Sequence, residues 1–135
     1  MFERILILLV LAAALVIGWL ALRLLQARRL SALAADKPFA GIVPSGRPSV
    51  VAFSLPGCAD CRTRQAPALR RLGAQLGGRA SIQTLAANAH PSLVERLGLL
   101  TVPATVVLDT AGQVRFLNQG FADEQRLAEQ LAALD

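Results

Sequence analysis

Ser49-Val50-Val51-Ala52-Phe53-Ser54-Leu55-Pro56-Gly57-Cys58-Ala59-Asp60-Cys61 decides the fold of this chain. Seven strand-forming, almost wholly apolar residues run into a Pro-Gly turn, and the chain's two cysteines follow. Arg62 to Leu76 then reads as a helix, with Ala66, Leu69, Leu72 and Leu76 at helical spacing and Gly77-Gly78 as its stop. The order strand, tight turn, Cys-x-x-Cys, helix sets Cys58 at a helix N-terminus. Unpaired N–H groups and the helix dipole favour a thiolate there. Cys61 lies one helical turn on and can close back on Cys58. The layout is that of a dithiol–disulfide redox site.

Two plainer readings compete. Structural zinc takes four nitrogen or sulfur ligands. Beyond this pair the chain has one histidine, His90, and no further cysteine, so no metal is expected. An inert structural disulfide remains open, although so short a loop removes little entropy from the unfolded chain.

The apolar strand is expected to be central and covered on both faces. Downstream, Ser81–Ala86 reads as a second strand and Pro91–Leu97 as a short helix with proline at its first turn and Gly98 at its end. Ala104–Leu108 reads as a third strand. Asp109 to Gly112 reads as a hairpin turn, Gln113–Asn118 as the partner strand, and Asp123–Leu134 as a final helix with acids in its first turn. Pro67 is expected to kink the helix after the cysteines. The order βαβαββα predicts an α/β domain, with parallel strands joined by crossover helices and then an antiparallel hairpin.

The remainder of the chain is different. Ile5 to Leu22 carries no charge and is rich in Leu, Ile, Val and Ala; about 18 such residues nearly span a bilayer. Arg4 and Arg23 bracket the run, and Trp19 stands near its second end. A cleaved signal would have a small-residue site directly after its apolar core. Here Arg23, Arg28 and Arg29 follow instead, so residues 1–29 are read as an uncleaved single-pass anchor with a basic flank. Residues 30–47, with Lys37-Pro38, Pro44-Ser45-Gly46 and Arg47, are read as a linker, and 48–135 as the folded domain.

The formal net charge is +5, but from Pro48 onward eight arginines face seven acids. The basicity is therefore juxtamembrane. Its expected partner is anionic lipid headgroups, not nucleic acid. Arg23, Arg28 and Arg29 outweigh Arg4 with its neighbour Glu3. The positive-inside rule then sets the C-terminal domain on the cytoplasmic side of the cell membrane. No Rossmann or P-loop glycine pattern is present, so no nucleotide is expected and electrons must come from another protein; no cofactor is expected.

From Pro48 to Leu134 the chain resembles the thioredoxin superfamily. The residues carrying the match are Cys58-x-x-Cys61; Pro67, one residue later than the family's kinking proline; Thr101-Val102-Pro103 before a strand, about forty residues after the second cysteine; Gly120 after the hairpin; and His90-Pro91 at the family's spacing before Pro103. The resemblance implies a minimal thioredoxin-like fold and a thiol–disulfide oxidoreductase acting on protein thiols and disulfides. In it Cys58 is the nucleophile and Cys61 the resolving thiol. A cis Val102–Pro103 bond faces the disulfide, and a Val102 backbone group pairs with an extended substrate. An upstream protein donor is implied as well. The sequence also departs from the family. Gly57 stands where classical thioredoxins carry Trp, and the buried acid and its lysine partner would fall at Ala52 and near Thr84. Asp60 disfavours a neighbouring thiolate while Arg62 and Arg64 favour it, or Asp60 is simply a first-turn acid of the helix. Two other readings stay open: an outer-face reductant for exported proteins or cytochrome c maturation, and a non-catalytic binding or assembly module on the same fold.

Overall fold

The computed structural model describes residues 1–44 and 46–134, the side chains of 33–36 excepted. It divides into two compact units, Met1–Ala32 and Leu33–Asp135.

The first unit is helical. Helix α1 begins at Phe2 and is continuous to Asp36. Over Phe2–Ala32 it is long and apolar enough to cross a membrane, as is the hydrophobic part of an export signal. Its large side chains face outward over Phe2–Ala32: Leu15 is 75% exposed and Ile17 66%. A helix apolar on every side has no partner in water. Near its polar end the Arg23 guanidinium lies 4.6 Å from the centre of the Trp19 ring.

The second unit is a mixed four-stranded sheet. Its strands are β1 (Ser49–Ser54), β2 (Ser81–Ala86), β3 (Ala104–Leu108) and β4 (Val114–Gln119), in the order β2-β1-β3-β4. β1 pairs parallel with β2 and antiparallel with β3, and β3 pairs antiparallel with β4. β4 runs one residue later than the expected Gln113–Asn118, and its pairing with β3 is irregular between Val107 and Leu108. The hairpin turn before it is held by the Asp109 carboxylate, which accepts from the N–H groups of Ala111 and Gln113, each at 3.0 Å.

β1 is buried on both faces, as its composition predicts. Val50 and Ala52 pack with Leu69 and Leu72 of helix α2 (Ala66–Leu76) and with Leu127 and Leu131 of helix α4 (Glu124–Ala132). Val51 and Phe53 face the other way, onto Leu93 and Leu97 of helix α3 (Pro91–Leu97). Period-two alternation along one strand thus supplies two cores.

The stretch read as a linker differs from that expectation. Helix continues to Asp36 at its start, and beyond it Phe39, 1% exposed, fills the α3-side core with its ring centre 6.2 Å from that of Phe53. Pro38 and Gly41 do break the helix, but the aromatic between them has too much apolar area to leave in water.

Helix α2 is preceded by a π-helical turn, Cys61–Gln65, in which the Ala66 N–H reaches back to the Cys61 carbonyl. Pro67 has no N–H and its ring crowds the turn before it. A wider turn accommodates both, and Pro67 then falls in the first turn of α2.

Candidate active site

The two cysteines leave the C-terminal end of β1, at the middle of the sheet. Leu55, Pro56 and Gly57 form the turn, closed by the Cys58 N–H on the Leu55 carbonyl at 3.2 Å. Gly57 has φ +84°, in the left-handed region that a side chain resists. A Cβ there would touch nothing within 4 Å, so what disfavours a side chain at this position is the shape of the backbone.

Helical structure begins at Ala59, so Cys58 stands at the helix start, as expected. Cys58 and Cys61 form a disulfide with their Cα atoms 5.3 Å apart. The two sulfurs are not equivalent. Cys61 is 5% exposed, whereas Cys58 is half-buried. The Cys61 backbone N–H donates to Cys58 Sγ at 3.2 Å. A donor aimed at sulfur at a helix N-terminus stabilises negative charge on that sulfur.

Charged side chains lie next to the cysteines in sequence: Asp60 between them and Arg64 just after. The Arg64 guanidinium sits 4.0 Å from the Asp60 carboxylate and 4.4 Å from the centre of the Phe121 ring. At the positions of the family's buried acid and lysine, Ala52 and Thr84 stand directly opposite each other in the β1–β2 register, and neither ionises.

Val102–Pro103 is a cis peptide bond, and Pro103 is buried. Ala104, the next residue, pairs with Phe53 of β1, which sets this loop beside the turn that carries the cysteines. The Pro103 carbonyl accepts the Gly120 N–H at 2.9 Å. Leu55 and Val102 line one cavity of about 380 Å³ together with Ala87, Val94, Leu99, Leu100 and Thr101. No charged side chain lines it. Beyond helix α1, Leu55 (36% exposed) and Leu100 (90%) are the exposed large apolar side chains of the described residues, and both border this cavity.

Three supporting groups were not foreseen from sequence. Gln119 accepts the Leu100 N–H at 2.8 Å and donates to the Gly98 carbonyl at 2.9 Å, holding the loop on which Leu100 projects. Gln65, 2% exposed, donates to the Ala122 carbonyl at 2.9 Å and accepts the Ala122 N–H at 3.1 Å. Phe121 receives Arg64. A glutamine in a helical run reads as a solvent-facing residue, and its partner here is 57 positions away; only the late Pro67 hinted that the turn was unusual. His90, by contrast, serves the backbone: its carbonyl accepts the Val94 N–H at 3.0 Å at the start of α3. Among the described residues no group of three or more His, Cys, Asp or Glu is placed to hold a metal ion.

No family model matches the sequence, and no curated protein matches it. Solved structures do match. An uncharacterized thioredoxin-like protein from Clostridium perfringens superposes with a TM-score of 0.63 at 22% identity, over 70% of this chain and 76% of that one. Thioredoxin-2 of the malaria parasite, described as a component of its protein secretion machinery, gives 0.61 at 17% identity over 69% and 88% of the two chains. MTB DsbF, solved in mixed oxidized and reduced forms, gives 0.55 at 21% identity over 67% and 83%. The α/β unit of this chain has the fold of the thioredoxin superfamily.

Proposed function

We propose that this protein is a membrane-anchored thiol–disulfide oxidoreductase that reduces protein disulfides through Cys58 and Cys61. The observation that carries the reading is the asymmetry of the pair. Cys58 is reachable, stands at a helix start and accepts an N–H on its sulfur, while Cys61 is buried behind it. In the reduced protein the Cys58 thiolate attacks one sulfur of a substrate disulfide. A Cys58–substrate S–S bond forms, and the second substrate sulfur leaves as a thiolate and takes a proton from water. Cys61 then gives its proton to water and attacks Cys58 Sγ. The Cys58–Cys61 bond closes, and the first substrate sulfur leaves as a thiol. Two electrons pass to the substrate, and an upstream protein dithiol restores the reduced pair.

In this reading Val102 and Pro103 bind substrate. An extended segment pairs with the Val102 backbone, and apolar side chains settle into the uncharged cavity next to it. Ile5 to Leu22 anchors the chain in the membrane, and the arginine count sets the domain on the cytoplasmic side. The test is turnover of insulin disulfides by the full-length protein with dithiothreitol as recycling reductant. The wild type accelerates reduction and Cys58→Ser does not; a wild type no faster than dithiothreitol alone refutes the activity. A membrane-impermeant maleimide, applied to intact cells after reduction, tests sidedness. Labelling only after lysis supports the cytoplasmic placement, and labelling before lysis moves the domain to the outer face.

A further inference from the structure

We infer that Gln65 is a positioning residue that fixes the substrate-binding loops relative to the cysteine pair. The inference rests on the oxidoreductase reading and goes beyond it, because Gln65 touches neither sulfur nor the surface offered to substrate. Gln65 ends the π-helical turn that begins at Cys61. Gln65 is 2% exposed, and its side-chain amide exchanges two hydrogen bonds with the backbone of Ala122, itself 1% exposed. Ala122 closes the loop that leaves β4 at Gly120. The Gly120 N–H in turn donates to the Pro103 carbonyl at 2.9 Å. A continuous path therefore runs from the turn bearing Cys61, through one buried amide, to the loop bearing Pro103.

The π turn gives Gln65 this orientation. One residue more than a regular turn rotates the chain before Pro67, and the polar side chain that ends it is buried against the Ala122 backbone. The amide offers one donor and one acceptor where the Ala122 backbone needs one of each. Without it, a buried N–H and a buried C=O lose their partners and the loop is free to shift. A substrate that must meet both Cys58 and the Val102–Pro103 backbone senses that shift. A small disulfide that needs only the sulfur does not.

The test compares wild type, Gln65→Met and Arg71→Met as full-length proteins in detergent micelles. The last variant loses a side-chain link from α2 to Glu124, the first residue of α4, that makes no hydrogen bond to the Ala122 backbone. Dipyridyl disulfide, in single turnover, reads the chemistry of Cys58 alone; insulin reads chemistry and docking together. For Gln65→Met the rate with dipyridyl disulfide stays within about twofold of wild type, while KM for insulin rises by about tenfold or more with a smaller change in kcat. Arg71→Met keeps the wild-type KM. A wild-type KM in Gln65→Met overturns the inference, as does an equal loss on both substrates, which marks a purely structural role. A wild type inert toward both substrates removes the oxidoreductase reading and this inference with it. If Gln65→Met does not fold, Gln65→Glu replaces it: the variant keeps the acceptor for the Ala122 N–H but sets an oxygen against the Ala122 carbonyl, so KM for insulin rises above wild type while the dipyridyl disulfide rate holds, and a wild-type KM overturns the inference. In the wild type, hydrogen exchange of the Ala122 and Gly120 amides is as slow as that of the central strands. Exchange at the rate of free loop amides overturns the proposal.

Discussion

Arg64 rests on the face of Phe121, its guanidinium 4.4 Å from the ring centre, and from there reaches the Asp60 carboxylate at 4.0 Å. The contact ties the cysteine turn to the loop before α4, and it holds a cation beside the acid that stands between the two cysteines. Asp60 disfavours a thiolate on the neighbouring sulfurs, and Arg64 offsets that effect. Arg64→Ala is expected to destabilise the reduced, thiolate form and make the protein a stronger reductant; Asp60→Asn moves the potential the opposite way. Both side chains are more than half exposed, so each shift is on the order of 10–20 mV. Equilibration with a glutathione redox buffer measures it. Shifts of the same sign in the two variants would contradict the assignment.

Arg71 and Glu124 form a two-pronged ion pair at 2.9 and 3.2 Å. The hydrogen bonds from Arg71 hold the Glu124 carboxyl below its ordinary range, helped by the backbone at the start of α4. A carboxyl lowered on folding contributes stability above its unfolded pKa and loses it as pH falls through the folded value. The thermal stability of wild type is therefore expected to exceed that of Arg71→Met at neutral pH. The gap closes as the solution is acidified through and below the usual glutamate range. A difference in melting temperature that is independent of pH would assign the effect of Arg71 to packing instead.

Phe39 is 1% exposed and packs on Phe53 in the α3-side core. Phe39→Ala is expected to cost about 3–5 kcal/mol, read as a lowered urea midpoint of the second unit. A true linker residue would cost under about 0.5 kcal/mol, so the experiment separates the two descriptions of this stretch.

The parts of the fold that were legible in sequence are those with strong local signals. Ser81–Ala86, Pro91–Leu97 and Ala104–Leu108 fall where their patterning and stop residues set them. The continuous apolar character of β1 announced a strand covered on both faces. The cysteine pair and Val102–Pro103 were also legible, because each is a motif of adjacent residues. What was not legible depends on distant partners. Phe39 sits among the breakers Pro38 and Gly41, and only its contact with Phe53 makes it core. Gln65 and Gln119 resemble ordinary polar surface residues, yet each clamps a loop backbone through a bidentate amide. The π turn has no periodicity of its own over five residues. Gly57 was legible as part of a tight turn, and it adopts the positive φ that such a turn uses.

The central claim is that Cys58 attacks and Cys61 resolves. Reduced full-length Cys61→Ser and Cys58→Ser proteins, each mixed with insulin and run on non-reducing gels, test it most directly. The account predicts a covalent adduct between Cys61→Ser and an insulin chain, dissolved by dithiothreitol, and no adduct with Cys58→Ser. An adduct formed by Cys58→Ser, or none formed by Cys61→Ser, would contradict it.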